Sequence, residues 1–138
     1  MLVFVYGTLI EPERVATVLE RDPADAADAF AGRATLEGLC RVAGRYPTLV
    51  PGGSADGRLL AIDETGLATL DEYEGVDTGL YVRVAVPIAS SGPADRCFVY
   101  VGEPKRLGVD ATWPGDGAFR DRVRQVVSRT DVVVRSNE

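Results

Sequence analysis

Regular alternation in residues 80–88 constrains the fold more than any other feature of this sequence. Every second position carries a large apolar side chain, and Tyr81, Arg83 and Ala85 lie between them. Successive side chains of a strand point to opposite faces, so the pattern predicts a strand with one buried face. The turn-forming residues SSGPAD and a second apolar run, RCFVYV, follow directly. The two runs therefore predict a β-hairpin.

The N-terminal segment predicts a strand of a different kind. Residues 2–6 are apolar without interruption and end at Gly7, which is typical of a strand buried on both faces. Further strands are predicted in ATLEGLCRVAG, by partial alternation, and in RLLAI. Between them, RYPTLVPGGSADG is dense in proline and glycine. We expect it to be mainly loop around one short apolar piece, TLV.

Helical periodicity is found in three other segments. IEPERVATVLERDP, DETGLATLDEYE and the stretch from Phe119 to Val127 each carry apolar residues at helical spacing. ADAADAFAGRA is compatible with a short helix or a loop. Strands and helices mix along all 138 residues, with no repeat, low-complexity tract or linker. We therefore expect one α+β domain that spans residues 1–138.

The composition excludes several kinds of catalytic site. The sequence has no histidine, so serine or cysteine catalysis with an imidazole base and imidazole zinc sites are both excluded. Its two cysteines, Cys40 and Cys97, form no CxxC pair and are expected to be small buried side chains. We expect no metal and no cofactor. Any catalysis must use carboxylates, hydroxyls, cationic side chains or backbone amides.

Charge and hydropathy predict the surroundings of the protein. A formal charge of −6 disfavours nucleic acid and anionic membranes as partners. No apolar stretch is long enough to cross a bilayer. The N-terminal MLVFVYG lacks the basic opening of a signal peptide. We expect a soluble cytoplasmic protein that binds neither nucleic acid nor membrane, and the sequence does not indicate an oligomeric state.

The segment LDEYEG places three carboxylates at the end of a predicted helix. At about 100° per residue, Glu74 falls between Leu67 and Leu70 on the apolar stripe, whereas Glu72 points into solvent. Gly75 is a natural helix stop, so the helix dipole also disfavours an anion at Glu74. Both effects would raise the pKa of Glu74, as a general base near neutral pH requires. Alternatively, Glu74 forms a salt bridge or extends into water at a frayed helix end.

The turn after the N-terminal strand is a second candidate feature. The strand ends in Tyr-Gly-Thr ahead of a predicted helix. Glycine allows the chain to turn sharply and to expose successive backbone N–H groups, which can bind a carboxylate. A plain connection from strand to loop explains the same residues.

Taken together, four segments resemble the γ-glutamylcyclotransferase-like (AIG2-like) family. They are FVYGTL near the N-terminus, YPTLV in the middle, LDEYEG and GLYVR, and they span residues 4–83 in the family's order. The resemblance implies a small mixed β-barrel of about six strands, with flanking helices and a cavity at one end. It also implies release of 5-oxoproline from a γ-glutamyl amide.

The resemblance assigns roles to individual residues. Glu74, which ends the LDxxE motif, would be the general acid/base, and Tyr81 of the LYxR segment would form one wall of the cavity. The loop that carries the YGTL motif would bind the glutamyl part of the substrate: Tyr6, Gly7, Thr8 and Leu9. The α-amine of the substrate would be the nucleophile, so no serine, cysteine or metal is needed.

Three functions follow as alternatives. The leading one is a γ-glutamyl cyclotransferase acting on a small γ-glutamyl amine or peptide. The others are a γ-glutamyl amide hydrolase, in which water replaces the internal amine, and a non-catalytic module that binds a small acidic ligand. Two aromatic residues also have two interpretations. Trp113 either caps the leaving-group end of the cavity or packs in the core, and Tyr46 either lines the cavity or lies in the core.

Overall fold

The computed structural model describes residues 1–89 and 96–136, without the side chain of Thr8. In this part of the chain the strands are β1 Leu2–Val5, β2 Phe30–Val42, β3 Thr48–Ala61, β4 Tyr81–Ala89, β5 Arg96–Gly102 and β6 Val133–Ser136. The helices are α1 Pro12–Leu19, α2 Pro23–Asp28, α3 Glu64–Glu74 and α4 Phe119–Arg129, with short 3-10 turns at Thr8–Ile10 and Lys105–Leu107. None of these helices has the length and apolar character needed to cross a membrane.

The six described strands close into one barrel in the order β1-β3-β2-β6-β4-β5. β1 runs parallel to β5 and β4 runs parallel to β6, while the other neighbours are antiparallel. The predicted small mixed barrel with flanking helices is therefore confirmed. The predicted hairpin is confirmed as well, because β4 and β5 pair in antiparallel register. The SSGPAD turn predicted between them lies outside the described residues.

Two hydrophobic clusters lie on the two faces of the barrel wall. One takes side chains from all six described strands and fills the barrel, with α4 packed against it. The other lies between the barrel and the helices α1, α2 and α3. β1 shows the division, because Phe4 belongs to the first cluster while Val3 and Val5 belong to the second. Burial on both faces explains the uninterrupted apolar sequence of this strand.

Helix α3 carries the acidic segment. Its N-cap is Asp63, whose side chain accepts a hydrogen bond of 2.8 Å from the Gly66 N–H. Its C-cap is Gly75, with φ = 71°, a conformation that glycine adopts without the steric cost of a Cβ. Leu67 and Leu70 are buried. The predicted helix, its glycine stop and its buried face are therefore confirmed.

The prediction of a loop in RYPTLVPGGSADG is wrong, because β3 (Thr48–Ala61) runs through most of it. Only residues 58–61 pair with β1, so residues 48–57 pair with β2 alone among the described strands. A strand with one free edge tolerates proline, which lacks the N–H that a second neighbour would need. Gly52 and Gly53 have φ = 104° and 65° and lie beside a register shift typical of a β-bulge.

Two further differences concern the strands that meet at the closure of the barrel. β2 begins at Phe30, inside the ADAADAFAGRA stretch, whose first part forms the short helix α2. β6 was not predicted at all. It is four residues long, which leaves little room for a periodic pattern. Its position is fixed by the strands on either side, β2 and β4.

Candidate active site

A cavity of about 210 Å³ lies at the end of the barrel where β1 and β5 finish and β4 begins. All five tyrosines of the chain line it: Tyr6, Tyr46, Tyr73, Tyr81 and Tyr100. Glu74 is the one charged side chain among the described residues of the lining. The described lining of this small cavity is therefore mainly aromatic, with one carboxyl group.

Glu74 reaches this cavity from the last turn of α3. The side chain is half-buried, while Glu72 on the same helix is exposed, as the helical spacing predicts. Burial raises the pKa of Glu74 to about 7. No lysine or arginine among the described residues lies within salt-bridge distance of it. Near neutral pH the carboxyl group is therefore present in both protonation states, which suits proton transfer in either direction.

Three buried tyrosines form the inner wall, and each hydroxyl donates a hydrogen bond. Tyr6 donates to the backbone oxygen of Tyr100. Tyr81 donates to a backbone oxygen of the β2–β3 loop at 2.6 Å, and Tyr100 donates to the Asp71 carboxylate at 2.7 Å. Burial is the main cause that raises the pKa of all three hydroxyls. At Tyr100 the hydrogen bond to Asp71 and the charge of Asp71 raise the pKa further, and the charge of Glu74 raises it at all three. They therefore stay protonated and do not compete with Glu74 as acid or base.

The turn after β1 brings most of the predicted glutamyl-binding residues to the cavity. Tyr6, Gly7 and Leu9 line it, and Tyr81 faces it from the start of β4. The backbone of Thr8 begins a 3-10 turn in the same segment, and its side chain lies outside the described part of the chain. Two segments far apart in the sequence thus meet beside Glu74, as the resemblance implies.

Gly7 has a different role from the one derived from the sequence. Its φ is not among the positive values that favour glycine, so the turn itself does not need this residue. A Cβ at this position would meet only side-chain atoms of Pro47, the nearest at 3.6 Å. Both residues line the cavity. The glycine therefore keeps space open in the wall rather than permitting the turn.

Two exposed tyrosines form the rim of the cavity. Tyr46 is 52% exposed and Tyr73 is 42% exposed. Tyr46 therefore lines the cavity and does not lie in the core. Trp113 is 2% exposed and packs edge-on against Phe119, with 6.0 Å between the ring centroids. It belongs to the cluster that fills the barrel and is not part of the cavity lining.

Sequence reasoning missed Tyr100 and the ion pair behind it. Tyr100 lies in RCFVYV, where it is indistinguishable from an apolar strand residue. Asp71 and Arg83 form a salt bridge of 2.7 Å. A signal was present, because these two residues and four of the five tyrosines lie in the LDEYEG, GLYVR, FVYGTL and YPTLV segments. The spacing of those segments alone does not show which side chains meet.

Comparison with known proteins gives matches over most of the chain. A family model described as gamma-glutamyl cyclotransferase, AIG2-like, matches residues 3–118. The curated AIG2-like protein C of Arabidopsis thaliana is 38% identical over 101 residues, which cover 70% of this chain and 54% of that protein. The matched part of the chain therefore spans about half the length of that relative.

Solved structures show the same fold. The crystal structure of an AIG2-like protein from Mus musculus is 27% identical, with a TM-score of 0.54 and coverage of 83% of this chain and 87% of that one. A structure described as a gamma-glutamyl cyclotransferase has a TM-score of 0.59 at 21% identity, with coverage of 94% and 98%. At that identity the likeness establishes the fold.

Proposed function

The chain belongs to the gamma-glutamyl cyclotransferase, AIG2-like family, and from this premise we propose that it releases 5-oxoproline and a free amine from a small γ-glutamyl amine or peptide. The observation that carries the proposal is the position and the raised pKa of the Glu74 carboxyl group. It is the one charged side chain in the described lining of the cavity, and burial raises its pKa to about 7. A general acid/base works best with a pKa near the operating pH.

The proposed reaction needs no nucleophile from the protein. The α-amine of the substrate attacks the γ-carbonyl carbon of the same molecule and forms the ring bond of 5-oxoproline, and the bond to the leaving nitrogen breaks. Because both reacting groups belong to one molecule, holding them in a reactive geometry is worth an effective molarity on the order of 10⁵ M or more. A cavity of about 210 Å³ favours this by restricting the conformations of a glutamyl group.

The role of Glu74 is to carry protons between the two nitrogens. The α-ammonium loses two protons as it becomes the lactam N–H, and the leaving nitrogen gains two as it becomes a free ammonium. For each of these two protons, ionised Glu74 accepts it from the first nitrogen and, once protonated, donates it to the second. The reaction therefore consumes no net proton near neutral pH, and Glu74 returns to its starting state.

Binding of the glutamyl part is proposed for the turn after β1, with Tyr81 as a further wall. The glutamyl group carries an α-carboxylate, and the tetrahedral intermediate carries an oxyanion. No lysine or arginine is among the described lining residues, and the hydroxyls of the inner wall already donate elsewhere. We propose that backbone N–H groups of the turn bind one of these anions. The residues concerned are Tyr6, Gly7, Thr8 and Leu9.

The test is to incubate the purified protein with γ-glutamyl amino acids, γ-glutamyl amines and glutathione, and to measure 5-oxoproline by mass spectrometry. Glu74→Gln is run in parallel, with Glu72→Gln as a matched control because Glu72 is exposed on the same helix. We expect release by the wild type and the control, and a loss of at least about 100-fold in Glu74→Gln.

The other outcomes separate the alternatives. Glutamate in place of 5-oxoproline would identify a hydrolase. No product, together with thermal stabilisation by γ-glutamyl compounds, would identify a binding module. Release undiminished in Glu74→Gln would contradict the role proposed for this residue.

We also propose that residues 1–138 act as one domain. β1 begins at Leu2 and β6 ends at Ser136, and both are strands of the same closed barrel. A cut between them would leave a barrel with an open edge.

A further inference from the structure

A network of four side chains lies behind the inner wall of the cavity. An Arg83 Nη donates to one oxygen of Asp71 at 2.7 Å, and the Tyr100 hydroxyl donates to the other at 2.7 Å. The Arg83 guanidinium also lies over the Phe98 ring, 4.8 Å from its centroid. Both oxygens of Asp71 are thus bound by donors from two neighbouring strands, β4 and β5.

This network borders the cavity without lining it, except through Tyr100. Asp71 and Arg83 are absent from the lining, whereas Tyr100 is part of it. Asp71 precedes Glu74 by three residues on α3, a spacing that makes the two side chains neighbours with about 5–6 Å between their Cβ atoms. The hydrogen bonds of Asp71 therefore fix the last turn of α3 against the β4–β5 hairpin directly beside Glu74.

The network also extends to the strand that carries the glutamyl-binding turn. The backbone oxygen of Tyr100 accepts the hydrogen bond of the Tyr6 hydroxyl. The backbone oxygen of Tyr6 in turn accepts a hydrogen bond of 3.2 Å from the Arg41 side chain. A displacement of Asp71 would therefore be transmitted through Tyr100 to Tyr6, that is, to two walls of the cavity at once.

The ion pair matters for charge as well as for position. Its side chains are 32% and 27% exposed, so its field is screened less than that of a fully exposed pair. The other titratable side chains in the described lining of the cavity are those of tyrosines. They come from β1, the β2–β3 loop, α3, β4 and β5: Tyr6, Tyr46, Tyr73, Tyr81 and Tyr100. The charges of Asp71 and Arg83 lie 2.7 Å apart, so they have opposite effects on a carboxyl group near both.

We propose that Asp71 and Arg83 are positioning residues, which hold Glu74 in place and keep the charge beside it balanced. The inference rests on the proposed function of the cavity. Neither residue touches the substrate. They act through α3 and through Tyr100, and this role accounts for the aspartate of the LDxxE segment and the arginine of the LYxR segment.

Charge balance is tested by titrating the Glu74 carboxyl group by NMR in three variants. Asp71→Asn removes a negative charge near Glu74, Arg83→Gln removes a positive one, and the double variant removes both. We expect the pKa of Glu74 to fall by about half a unit or more in the first variant and to rise similarly in the second. In the double variant it should stay close to the wild-type value.

Positioning is tested by turnover of the substrate identified in the panel. All three variants should lower kcat about tenfold or more with little change in KM, because a small misplacement of a catalytic group is costly. Arg83→Lys keeps the charge but loses the planar donor geometry and the stacking on Phe98. It should lower kcat and leave the acid limb of the pH profile unchanged. Glu37→Gln and Arg135→Gln are matched controls, since that exposed pair is also 2.7 Å long.

A loosened fold alone would admit water to Glu74 and lower its pKa in every variant. Shifts of the same sign in Asp71→Asn and Arg83→Gln, or an unchanged kcat, would therefore overturn the proposal. The NMR titration of Glu74 does not depend on turnover. If the wild type releases no 5-oxoproline, the proposed function is contradicted, but the opposite pKa shifts expected in Asp71→Asn and Arg83→Gln can still be measured.

Discussion

Glu74 and Glu72 lie two residues apart on one helix and should contribute to stability in different ways. Burial raises the pKa of Glu74 in the folded state from 4.5 to about 7, so the folded protein favours its protonated form. The resulting stabilisation is fully present below about pH 4.5 and is lost as the pH rises through about 7. We expect the wild type to lose up to about 3 kcal/mol across this range relative to Glu74→Gln.

Urea unfolding of the two proteins at pH 4.5 and pH 8, values that bracket the range in which Glu74 ionises, measures this difference. Glu72→Gln serves as the control and should follow the wild type, because Glu72 is exposed. Parallel pH dependence in the wild type and Glu74→Gln would show that Glu74 is fully hydrated in the folded protein.

Gly7 gives a second prediction at the scale of one residue. Its Cβ would approach Pro47 at 3.6 Å, an ordinary contact, so Gly7→Ala should fold normally. The added methyl group would occupy space in the cavity wall, where one carbon changes binding by about tenfold or more. We expect a KM raised by about tenfold with little change in thermal stability. An unchanged KM would place the glutamyl group away from this wall.

At the scale of elements, Thr48 joins two strands that are not neighbours in the barrel. Its side chain is fully buried, its hydroxyl donates to the Gly102 oxygen at 2.9 Å, and the Gly102 N–H donates to it at 2.8 Å. Thr48→Val keeps the shape but leaves both Gly102 groups unpaired. We expect a loss of about 2–4 kcal/mol in the free energy of unfolding.

Denaturant unfolding measures the effect of this substitution. Thr48→Ser keeps the hydroxyl and is the matched control, which should lose much less than the valine variant. Equal losses in the two variants would assign the stability to the methyl group instead of the hydrogen bonds.

Helices and strands whose formation is determined by their own residues could be predicted from the sequence. Helix α3 has its own cap, glycine stop and apolar stripe, so Glu74 was found without knowledge of its neighbours. The alternation predicted the strand β4, but Tyr81 was assigned to the cavity through the resemblance. The formation of β3 and β6 as strands depends on residues that are distant in the sequence. Proline and glycine in β3 are tolerated because one edge is free, and β6 exists as a strand because β2 and β4 lie on either side. Tyr100 was missed for the same reason.

At the scale of the whole molecule, the short strand β6 closes the barrel. It pairs with β2 and with β4, and Val134 is fully buried. A chain that stops at Arg129 would leave two open strand edges and an exposed core. We expect it to lose the cooperative unfolding transition, as measured by circular dichroism during heating.

The matched control for this truncation is Arg135→Ala, which changes an exposed residue of the same strand. It should unfold cooperatively within about 1 kcal/mol of the wild type. A truncated chain with a normal transition would show that the barrel does not depend on its closure.

The closed six-strand architecture was predicted through a resemblance rather than through patterning. Local patterns indicated a hairpin, a buried strand and several helices, which many α+β folds share. The order of the strands and the meeting of β1, α3 and β4 around one cavity depend on pairings between distant segments. Such pairings leave no periodic signal in a single sequence.

All five tyrosines line the cavity, whereas the only tryptophan lies in the barrel core. The ultraviolet signals of the two residue types therefore report on different parts of the protein. Tyrosine difference absorption reports on the cavity, and tryptophan fluorescence reports on the barrel interior. A γ-glutamyl ligand should perturb the first signal and leave the second unchanged, whereas unfolding should change both. Ligand binding can then be followed without a label, including in Glu74→Gln, where turnover is expected to consume the ligand only slowly.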